Sequence, residues 1–392
     1  MPEIHGEVAK GFEPVREAFA RNFEQHEEVG AAFALYVKGE KVVDIWGGTA
    51  DAETGRAWSQ DTLQLVFSTT KGITAICAHL LAQRGELDLD APVAEYWPEF
   101  KAAGKENVPV RWLLGHRTGV PALHDTITPD ETLDWDTITS RLAAEEPWWE
   151  PGTTHGYHAL TYGWLVGEVI RRVSGKNIGR FVADELAGPL GLDTYIGLPV
   201  SEEPRVAPLV QMSLLADPPP QEALDAMPPE MRAMVDAFTN PNSLTQRALN
   251  VSTPSLEWDS REVHAAEIPA ANGISDARSL AKLYAACVGE VDGVRVLEPA
   301  TVTDATKEVS DGPDKVLLAP TRFGSGFFLQ STFSPLYGPN SFGHAGAGGS
   351  LAMADPDAQI GYGYVMNKML ANLSGDPRTT GLTAAVKECL GS

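Results

Sequence analysis

The feature of this chain that most constrains its fold is the position of its β-type runs, which lie near both ends. Residues 31–48, AAFALYVKGEKVVDIWGG, predict a β-hairpin around a Lys-Gly-Glu-Lys turn. After residue 320 the chain returns to short β-type runs: FGSGFFLQ, SFGHAG, GSLAMADP and QIGYGYVMNKM, the last two joined by an Asp-Pro-Asp turn. Residues 90–305 carry mainly helical patterns. The sequence therefore predicts an α+β layer built from both ends of the chain, with a mainly helical domain inserted between them.

Amphipathic patterns predict helices next to these strands. Residues 11–27 and 378–390 predict the first and the last helix of the chain. Another pattern begins after Ser68, carries apolar residues at helical spacing from Ile73 to Leu81, and ends at Gly85.

The alternation of strand and helix patterns divides the chain into two predicted domains. Residues 1–85 and 305–392 form a discontinuous α/β sheet domain, and residues 86–304 form the mainly helical domain. Within the helical domain, residues 199–265 are irregular and rich in Pro and Met, as in ADPPPQEALDAMPPEMRAM. Loops of this length are usually disordered or cover a pocket as a lid, and the sequence leaves that choice open.

The net charge of the chain limits the kinds of partner that we expect it to bind. The 53 acidic and 30 basic residues give a formal net charge of −23, spread along the chain, which disfavours nucleic acid and anionic membrane surfaces. No apolar run reaches membrane-spanning length, and the start, MPEIHGEVAKGFEPV, lacks the apolar core of a signal peptide. Three Cys are too few for a disulfide framework, and no Cys-x-x-Cys pair indicates zinc. We therefore expect a cytoplasmic protein with reduced thiols, no metal, no cofactor, and no membrane or nucleic-acid partner; a homo-oligomer remains open.

One short motif, Ser68-Thr69-Thr70-Lys71, lies where an apolar run turns into a helix. In the first helical turn, free backbone N–H groups and the helix dipole favour developing negative charge. The spacing of three residues places Lys71 on the same helix face as Ser68. A Lys takes a proton from a Ser hydroxyl only if burial or a cationic neighbour lowers its pKa. On this stretch alone, a helix-capping Ser68 beside a surface Lys71 stays an open alternative.

Two other patterns compete with this motif. A second Ser-x-x-Lys, from Ser279 to Lys282, lies in an amphipathic helix and is interpreted as a solvated flank. The chain contains no Gly-x-Ser-x-Gly elbow, which counts against an α/β-hydrolase.

Several His and Trp residues are also candidate site residues, but the sequence evidence for them is weaker. His155 and His158 are three residues apart and could bind a metal, but no acidic third ligand stands nearby, so no metal site is predicted. His116 is interpreted as part of a helix stop. Trp148 and Trp149 are predicted to pack the helical domain, because a buried Trp covers a large apolar area.

Two further stretches complete a recognisable set with Ser68 and Lys71. PGTTHGYHALTYGWLVG places Tyr157 after a Pro-Gly turn and before an apolar helix, and FGHAGAGGSLAMADP places His344 on a strand that runs into glycines. In order and spacing these resemble the three motifs of the penicillin-recognising serine hydrolases: Ser-x-x-Lys, a Tyr- or Ser-centred motif, and Lys-Thr-Gly or a relative. RWLLGHRTGVP and YGWLVGEVIRRVSGKNIGRFVADELAGPLGL also resemble connecting segments of that superfamily. Within it, the chain most resembles the class C β-lactamase-like carboxylesterases of family VIII.

The resemblance implies a fold and the roles of several residues. The fold is similar to that of β-lactamases and penicillin-binding proteins, with an antiparallel sheet flanked by helices from both chain termini. Ser68 is the nucleophile, Lys71 the general base, and Tyr157 the general acid or base, with Lys71 supporting a phenolate-like Tyr157. The backbone N–H groups of Ser68 and Ala347 form the oxyanion hole, a device in which each donor lowers the barrier by about 3–4 kcal/mol.

The resemblance also implies which residues contact the substrate, namely Ala159, His344, Ala345 and Gly346. β-Lactamases usually have Asn where this chain has Ala159, and Lys where it has His344. Both changes weaken recognition of an anionic lactam and leave room for a neutral ester. His344 either hydrogen-bonds Tyr157 or the leaving group, or has a structural role.

We therefore predict a serine carboxylesterase that hydrolyses small to medium carboxylic esters through an acyl-Ser68 intermediate. The nearest alternative is an acyltransferase that passes the same acyl group to an alcohol or amine. Amidase, D-aminopeptidase or weak β-lactamase activity comes next. A non-catalytic scaffold of the same fold is disfavoured because Ser68, Lys71 and Tyr157 are all present.

Overall fold

Thirteen strands occur in residues 2–210 and 227–391, the parts of the chain that this computed structural model describes. Their bounds are Ile4–Val8 (β1), Gly30–Val37 (β2), Glu40–Asp51 (β3), Arg56–Ala57 (β4), Gln64–Leu65 (β5), Thr194–Tyr195 (β6), Ile274–Ser275 (β7), Ser310–Pro313 (β8), Pro320–Phe323 (β9), Phe328–Leu329 (β10), Phe342–Ala345 (β11), Leu351–Asp355 (β12) and Ile360–Met366 (β13).

Strands from both ends of the chain form the main sheet. In the described residues its order is β1-β3-β2-β13-β12-β11-β10-β9-β8, with β4 paired to β3, and each pairing is antiparallel. The two ends meet where β2 pairs with β13, from Val37 opposite Ile360 to Ala31 opposite Met366. A small sheet, β5-β7-β6, lies apart from it. The predicted α+β fold and the N-terminal hairpin are confirmed.

Helices cover this sheet and fill the middle of the chain. The α-helices of the described residues are Glu13–Gln25, Thr70–Gln83, Val93–Tyr96, Val110–Leu114, Pro129–Leu133, Trp135–Ala144, Thr161–Ser174, Ile178–Val182, Gly188–Leu190, Pro229–Thr239, Leu244–Leu249, Arg261–Ala265, Ala277–Val288, Pro299–Ala305 and Pro377–Leu390. Short 3₁₀-helices span Phe67–Thr69, Pro98–Gly104 and Val200–Arg205, and a π-helical turn spans Ala183–Ala187. None of these described helices combines the length and the apolar character needed to cross a membrane.

The predicted strand FGSGFFLQ is wrong as a single element. Phe323 ends β9, Phe328 begins β10, and a turn separates them, in which the N–H of Gly324 donates to the carbonyl of Phe327 at 2.9 Å. Gly326 in this turn has a φ of +88°, a conformation that glycine adopts without steric cost. The glycines therefore divide the apolar run.

The sequence patterns do not indicate the two edge strands, β1 and β8. Both are short, and each contains a glycine at positive φ: Gly6 at +93° and Gly312 at +109°. Glycine weakens a strand signal, because it contributes no side chain to the sheet face. Only pairing with the neighbouring strand makes these segments regular.

The helix Ala277–Val288 lies directly on the main sheet. A Cβ on Gly361 of β13 would lie 2.2 Å from the carbonyl oxygen of Ala281, and one on Gly363 would lie 2.2 Å from that of Ala277. Glycines two residues apart on one strand face thus allow the helix backbone to approach the sheet closely. The predicted helical region 86–304 therefore includes a helix that packs on the sheet, and the domain boundaries stay a prediction.

The helix Thr70–Gln83 lies between the main sheet and the helix Thr161–Ser174. Its residues from Thr70 to Leu81 are all buried, including the polar Thr74 and His79. A helix that is buried on every side belongs to the centre of a protein rather than to its surface. The structure therefore places the residues that follow Ser68 in the core.

The irregular segment 199–265 contains more regular structure than predicted. Helices occupy Pro229–Thr239, Leu244–Leu249 and Arg261–Ala265, while residues 211–226 lie outside the described residues. A function of this segment as a lid stays a prediction.

Candidate active site

Ser68 lies in the 3₁₀ turn Phe67–Thr69 that leads into the buried helix. Phe67 has a φ of +43°, an unfavourable conformation for a residue with a side chain, and such strain persists only where the surrounding structure imposes it. No side chain caps either the turn or the helix. The alternative of Ser68 as a helix cap is therefore wrong, and its hydroxyl is left to interact with other groups.

Lys71 is fully buried, with its amine directed at Ser68. The Nζ atom lies 3.0 Å from Oγ of Ser68, 2.6 Å from the carbonyl oxygen of Ala159 and 2.9 Å from that of Ala270. No described carboxylate forms an ion pair with Lys71, and burial lowers its pKa well below the ordinary value. All three neighbours of Nζ are oxygen atoms, and it is burial without a described carboxylate partner that favours the neutral amine, the form that can accept the Ser68 proton.

Tyr157 lies against the same amine. Its ring centroid is 4.8 Å from Nζ of Lys71, and the residue is buried. Burial raises the pKa of the Tyr157 phenol, and a hydrogen bond with the Ser68 side chain offsets only part of this effect. Burial thus favours the neutral phenol over the phenolate-like form expected from the resemblance.

Asp314 holds the backbone of Tyr157 in place, and sequence reasoning missed it. Its Oδ1 accepts hydrogen bonds from the backbone N–H groups of Tyr157 at 3.0 Å, Val316 at 2.8 Å and Leu317 at 2.8 Å. Its Oδ2 accepts from the hydroxyl of Thr321 at 3.2 Å. The bonds to the next two and three residues form a local turn that the sequence could indicate. The partner at Tyr157 is distant in the chain, so no local pattern indicates it.

His158 has a defined protonation state. Its Nε2 accepts hydrogen bonds from the backbone N–H of Val120 at 3.2 Å and from the hydroxyl of Thr118 at 2.8 Å. Its Nδ1 donates to the carbonyl of Gly156 at 2.7 Å. Burial lowers the pKa of His158 to about 3, in agreement with a neutral ring that joins the Tyr157 loop to residues 118–120.

His116 packs against Tyr157 rather than acting only as a helix stop. The ring centroids of the two residues lie 5.0 Å apart, and Nδ1 of His116 accepts a hydrogen bond from the backbone N–H of His158 at 3.1 Å. His155 contacts the hydroxyl of Thr321 at 2.9 Å through Nε2. In the described residues no three metal-ligating side chains converge here. The imidazoles instead form hydrogen bonds around the Tyr157 loop.

His344 is buried on β11, with its ring 6.1 Å from that of Tyr157 and 4.5 Å from that of Phe328. Its Nδ1 donates to the carbonyl of Ala345 at 2.7 Å, while its Nε2 has no hydrogen-bond partner among the described residues. Burial and the nearby Lys71 lower the pKa of His344 well below its ordinary value. His344 therefore contacts Tyr157 as a neutral ring and adds no positive charge to the site.

The backbone N–H groups of Ser68 and Ala347 border the same cleft. No described residue accepts a hydrogen bond from either of these two groups. Two backbone donors without a described acceptor therefore border the cleft, and their function as an oxyanion hole stays a prediction.

Side-chain hydrogen bonds join the Ser68 turn to the strand that leads to Ala347. The hydroxyl of Thr69 donates to the carbonyl of His344 at 3.3 Å, and the hydroxyl of Ser350 donates to that of Val66 at 2.8 Å. A Cβ on Gly346 would lie 2.2 Å from the carbonyl oxygen of Val66. A side chain at Gly346 would force the two segments apart, so the motif requires glycine here.

A cleft of about 350 Å³ opens at Ser68. Its described lining is mainly apolar and carries no charged side chain: Phe67, Ser68, Tyr157, Ala159, Leu160, Phe238, Leu249, Asn250, Trp258, Ala271, Leu317, Phe333, Ala347, Ala371, Asn372 and Leu373. Trp148 and Trp149 are not among these residues, and the Nε1 of Trp148 donates to the carbonyl of Ala122. The cleft fits a neutral, largely apolar ligand.

The second Ser-x-x-Lys motif has a structural role. The Ser279 side chain is buried and its Oγ accepts a hydrogen bond from the backbone N–H of Asp193 at 2.9 Å. The Nζ of Lys282 donates to the carbonyl of Leu190 at 2.7 Å and pairs with Asp292 at 2.7 Å. The interpretation of this motif as a solvated flank is wrong, because a neighbouring loop packs over it.

Comparison with known proteins identifies the family of the chain. The sequence pattern of the family described as Beta-lactamase matches residues 15–387 of the chain. The chain belongs to the β-lactamase family. Within related sequences, the esterase/beta-lactamase LipL of Mycobacterium tuberculosis is 36% identical over 382 residues, which are 94% of this chain and 84% of LipL. The recognition made from the motifs is confirmed.

Solved structures of the same fold extend over the whole chain. The crystal structure of a family VIII carboxylesterase has a TM-score of 0.85 and 39% identity, covering 99% of this chain and 100% of that one. A penicillin-binding protein homologue from Caulobacter crescentus also has a TM-score of 0.85, with 37% identity and the same coverage. The predicted fold class is therefore confirmed over both the sheet and the helical region.

Proposed function

We propose that the protein is a serine carboxylesterase that hydrolyses small to medium carboxylic esters through an acyl-Ser68 intermediate. The observation that carries the proposal is the 3.0 Å contact between Oγ of Ser68 and the buried amine of Lys71, beside a cleft whose described lining carries no charged side chain. The similarity to LipL and to a family VIII carboxylesterase supports the same activity.

The reaction follows from the two neutral groups beside Ser68. Oγ of Ser68 attacks the ester carbonyl carbon while its proton passes to Nζ of Lys71. The carbonyl oxygen becomes an oxyanion that accepts hydrogen bonds from the N–H groups of Ser68 and Ala347. The C–O bond to the alcohol then breaks, Tyr157 protonates the leaving alkoxide, and Lys71 returns a proton to Tyr157. In deacylation Lys71 takes a proton from water, whose oxygen attacks the acyl carbonyl carbon. The bond to Oγ of Ser68 then breaks, Tyr157 protonates Oγ, Lys71 returns its proton to Tyr157, and the carboxylic acid leaves.

The lining of the cleft argues for a neutral ester. In the lining Ala159 offers no side-chain amide, and the buried His344, which is not among the lining residues, has a pKa held well below its ordinary value, so neither residue supplies a group that would hold a carboxylate. Burial of an unpaired carboxylate in this apolar lining would be unfavourable. A volume of about 350 Å³ agrees with a ligand of small to medium size.

A second candidate uses the same acyl-enzyme with a different acceptor. An apolar cleft lowers the local concentration of water, which favours an alcohol as the acceptor and would make the protein an acyltransferase. The name of LipL includes β-lactamase, so lactam hydrolysis is a third activity to measure. The free cysteines Cys77 and Cys287 are buried and fit the proposed cytoplasmic location.

The experiment compares the wild type with Ser68→Ala, using p-nitrophenyl acetate, p-nitrophenyl butyrate and a fluorophosphonate. We expect the wild type to turn over both esters and to gain one phosphonyl adduct on the peptide that contains Ser68. Ser68→Ala should show neither property. Ser279→Ala, from the structural second motif, is the matched control and should retain both.

The result that would overturn the proposal is equal labelling and equal turnover of the wild type and Ser68→Ala. An alcohol added to the assay distinguishes acyl transfer from hydrolysis, because an acyltransferase passes the acyl group to the alcohol as a new ester instead of releasing the acid. Hydrolysis of a chromogenic cephalosporin at a rate comparable with that of the esters would favour the lactamase alternative.

A further inference from the structure

Arg378, on the C-terminal helix, is a fully buried guanidinium with every N–H group occupied. Its Nε donates to Oδ1 of Asp376 at 3.0 Å, and its Nη2 donates to Oδ2 of the same carboxylate at 2.9 Å. Its Nη1 donates to Glu28 at 3.0 Å and to the carbonyl of Lys368 at 2.9 Å. The remaining N–H of Nη2 donates to the carbonyl of Gly348. The fifth contact ties the buried ion pairs to the glycine segment that follows β11.

The Gly348–Gly349 segment packs directly on the guanidinium. A Cβ on Gly349 would lie 2.2 Å from Nη2 of Arg378, and Gly349 has a φ of +131°. The N–H of Gly348 donates to the carbonyl of Asn372 at 3.1 Å, and its carbonyl also accepts from the N–H of Leu370 at 3.1 Å. The peptide groups on both sides of Gly348 are thus held by the chain segment that precedes the C-terminal helix.

Ala347 lies between this anchored glycine and a second one. The N–H of Gly346 donates to the carbonyl of Ser350 at 2.8 Å, so the backbone is also held on the other side of Ala347. The Ala347 amide itself has no described acceptor. Its direction is therefore set by neighbours that are fixed, and Arg378 is the charged group among them.

We propose that Arg378 is a positioning residue, which holds the Gly348 carbonyl so that the N–H of Ala347 points at the oxyanion formed at Ser68. The inference rests on the proposed function, in which this N–H stabilises the oxyanion. An oxyanion donor acts through its exact direction, so a loop held only by flexible glycines would weaken it. Arg378 supplies the rigidity without touching the substrate.

The geometry requires Arg rather than another cation. A guanidinium donates in a planar fork, which lets Nη2 bind Asp376 and Gly348 at the same time. The Lys ammonium is a compact point charge on a flexible chain, so Lys at this position keeps the charge and loses part of the fork. Arg378→Lys therefore separates the directed contact with Gly348 from the ion pair with Glu28 and Asp376.

The test compares p-nitrophenyl acetate with its thiono analogue, in which sulfur replaces the carbonyl oxygen. Sulfur accepts hydrogen bonds weakly, so the thiono ester depends less on the oxyanion hole. We expect Arg378→Lys to lower kcat/KM for the oxygen ester by about 100-fold, as loss of one oxyanion donor does, and for the thiono ester by less than about 10-fold. The oxygen-to-sulfur rate ratio thus reports the oxyanion hole and not general stability.

Glu28→Gln is the matched control, because it removes an ionic partner of Nη1 and leaves the contact of Nη2 with Gly348. It should lower stability and preserve the rate ratio. If Arg378→Lys does not fold, Gly349→Ala replaces it, since its Cβ would push the loop off the guanidinium and should lower the ratio as well.

Equal losses for both esters in the folded Arg378→Lys or Gly349→Ala variant would overturn the inference. That outcome differs from failure of the proposed function, in which the wild type itself would neither turn over the oxygen ester nor take up a fluorophosphonate at Ser68.

Discussion

A Cβ on Gly72 would lie 1.9 Å from the hydroxyl oxygen of Tyr284 and 3.2 Å from its Cζ. Gly72 follows Lys71 in the buried helix, and Tyr284 belongs to the helix Ala277–Val288 that packs on the sheet. The two helices therefore meet at a point where the first can carry no side chain. The Tyr284 hydroxyl is buried and has no hydrogen-bond partner among the described residues.

The first prediction concerns this contact. Ala in place of Gly in a helix interior usually stabilises a protein by about 1 kcal/mol, but overpacking costs about 1–3 kcal/mol. We expect Gly72→Ala to destabilise the protein and to lower esterase activity, because the displaced backbone carries Lys71. The free energy of unfolding in urea measures the first effect.

A double-mutant cycle checks the cause. Tyr284→Phe removes an unpartnered hydroxyl, which should cost little. In that background Gly72→Ala should be less harmful by about 1 kcal/mol or more. Strictly additive effects would show that the hydroxyl of Tyr284 is not the obstacle.

The second prediction concerns Lys71 as a base. Because burial lowers its pKa, Lys71 is neutral above that pKa and becomes charged as the pH falls through it. We expect kcat/KM to fall on the acid side as Lys71 takes up a proton. Lys71→Arg, which stays protonated, should lower kcat/KM by about 10²–10⁴-fold.

Lys282→Arg, in the structural Ser-x-x-Lys motif, is the control for a Lys-to-Arg change and should retain most of the activity. Measurement of kcat/KM against pH for the three proteins distinguishes the two Lys residues. A Lys71→Arg variant as active as the wild type would exclude Lys71 as the base.

The third prediction concerns Asp314, whose Oδ1 accepts three backbone N–H groups. Asp314→Ala leaves these buried donors without an acceptor, at a cost of about 1–3 kcal/mol for each group that water does not reach. Asp314→Asn keeps a carbonyl oxygen and should be milder. We expect the alanine variant to lose stability in thermal unfolding and to lower kcat more than it raises KM, since Tyr157 loses its anchor.

Comparison of the Asp314→Ala and Asp314→Asn variants also tests why Asp314 matters. If the asparagine and alanine variants behave alike, the charge of Asp314 matters rather than its accepted hydrogen bonds. If kcat is unchanged in both, the position of Tyr157 does not depend on Asp314.

The fourth prediction concerns stability in acid. Nε2 of His79 donates a hydrogen bond to the carbonyl of Ser325 at 2.8 Å, and burial lowers the pKa of His79 from 6.5 to about 4. Between these values the unfolded state binds a proton that the folded state does not. Stability therefore falls as the pH drops from about 6.5 to 4, by about 1.4 kcal/mol per pH unit for this group.

His79→Gln removes this proton while keeping a side chain that can donate to Ser325. We expect its free energy of unfolding to depend less steeply on pH than that of the wild type between pH 4 and 6.5. Comparison of the two proteins at pH 8, above the window, gives the packing cost alone. Parallel curves through the window would show that His79 titrates normally in the fold.

How well the sequence predicts an element of the structure depends on how far apart the interacting residues lie in the chain. The hairpin of β2 and β3 and the helix after Ser68 were predictable, because alternation and helical spacing are local patterns. The edge strands β1 and β8 were not, since each contains a glycine and becomes regular only beside its neighbour. The run FGSGFFLQ was wrongly predicted as one strand, because its glycines form a turn within an apolar stretch.

The candidate site shows the same division. Ser68, Lys71 and Tyr157 were selected from motifs, and the structure brings them together, while their catalytic roles stay proposals. The sequence did not indicate a role for Asp314 or Arg378, because a single Asp or Arg in a loop or at a helix start has no distinctive pattern. Each acts on a backbone group contributed by a distant segment.

The sequence by itself determined the α+β class with strands near both ends of the chain, the family, and the side chains that can do acyl-transfer chemistry, because these depend on residue types and short spacings. Only the tertiary structure decided that Lys71 is buried with no carboxylate partner among the described residues, that burial favours the neutral phenol of Tyr157, and that no described residue accepts a hydrogen bond from the Ala347 amide. Those properties depend on desolvation and on hydrogen bonds between segments more than 80 residues apart, such as the bond from Lys71 to the carbonyl of Ala159.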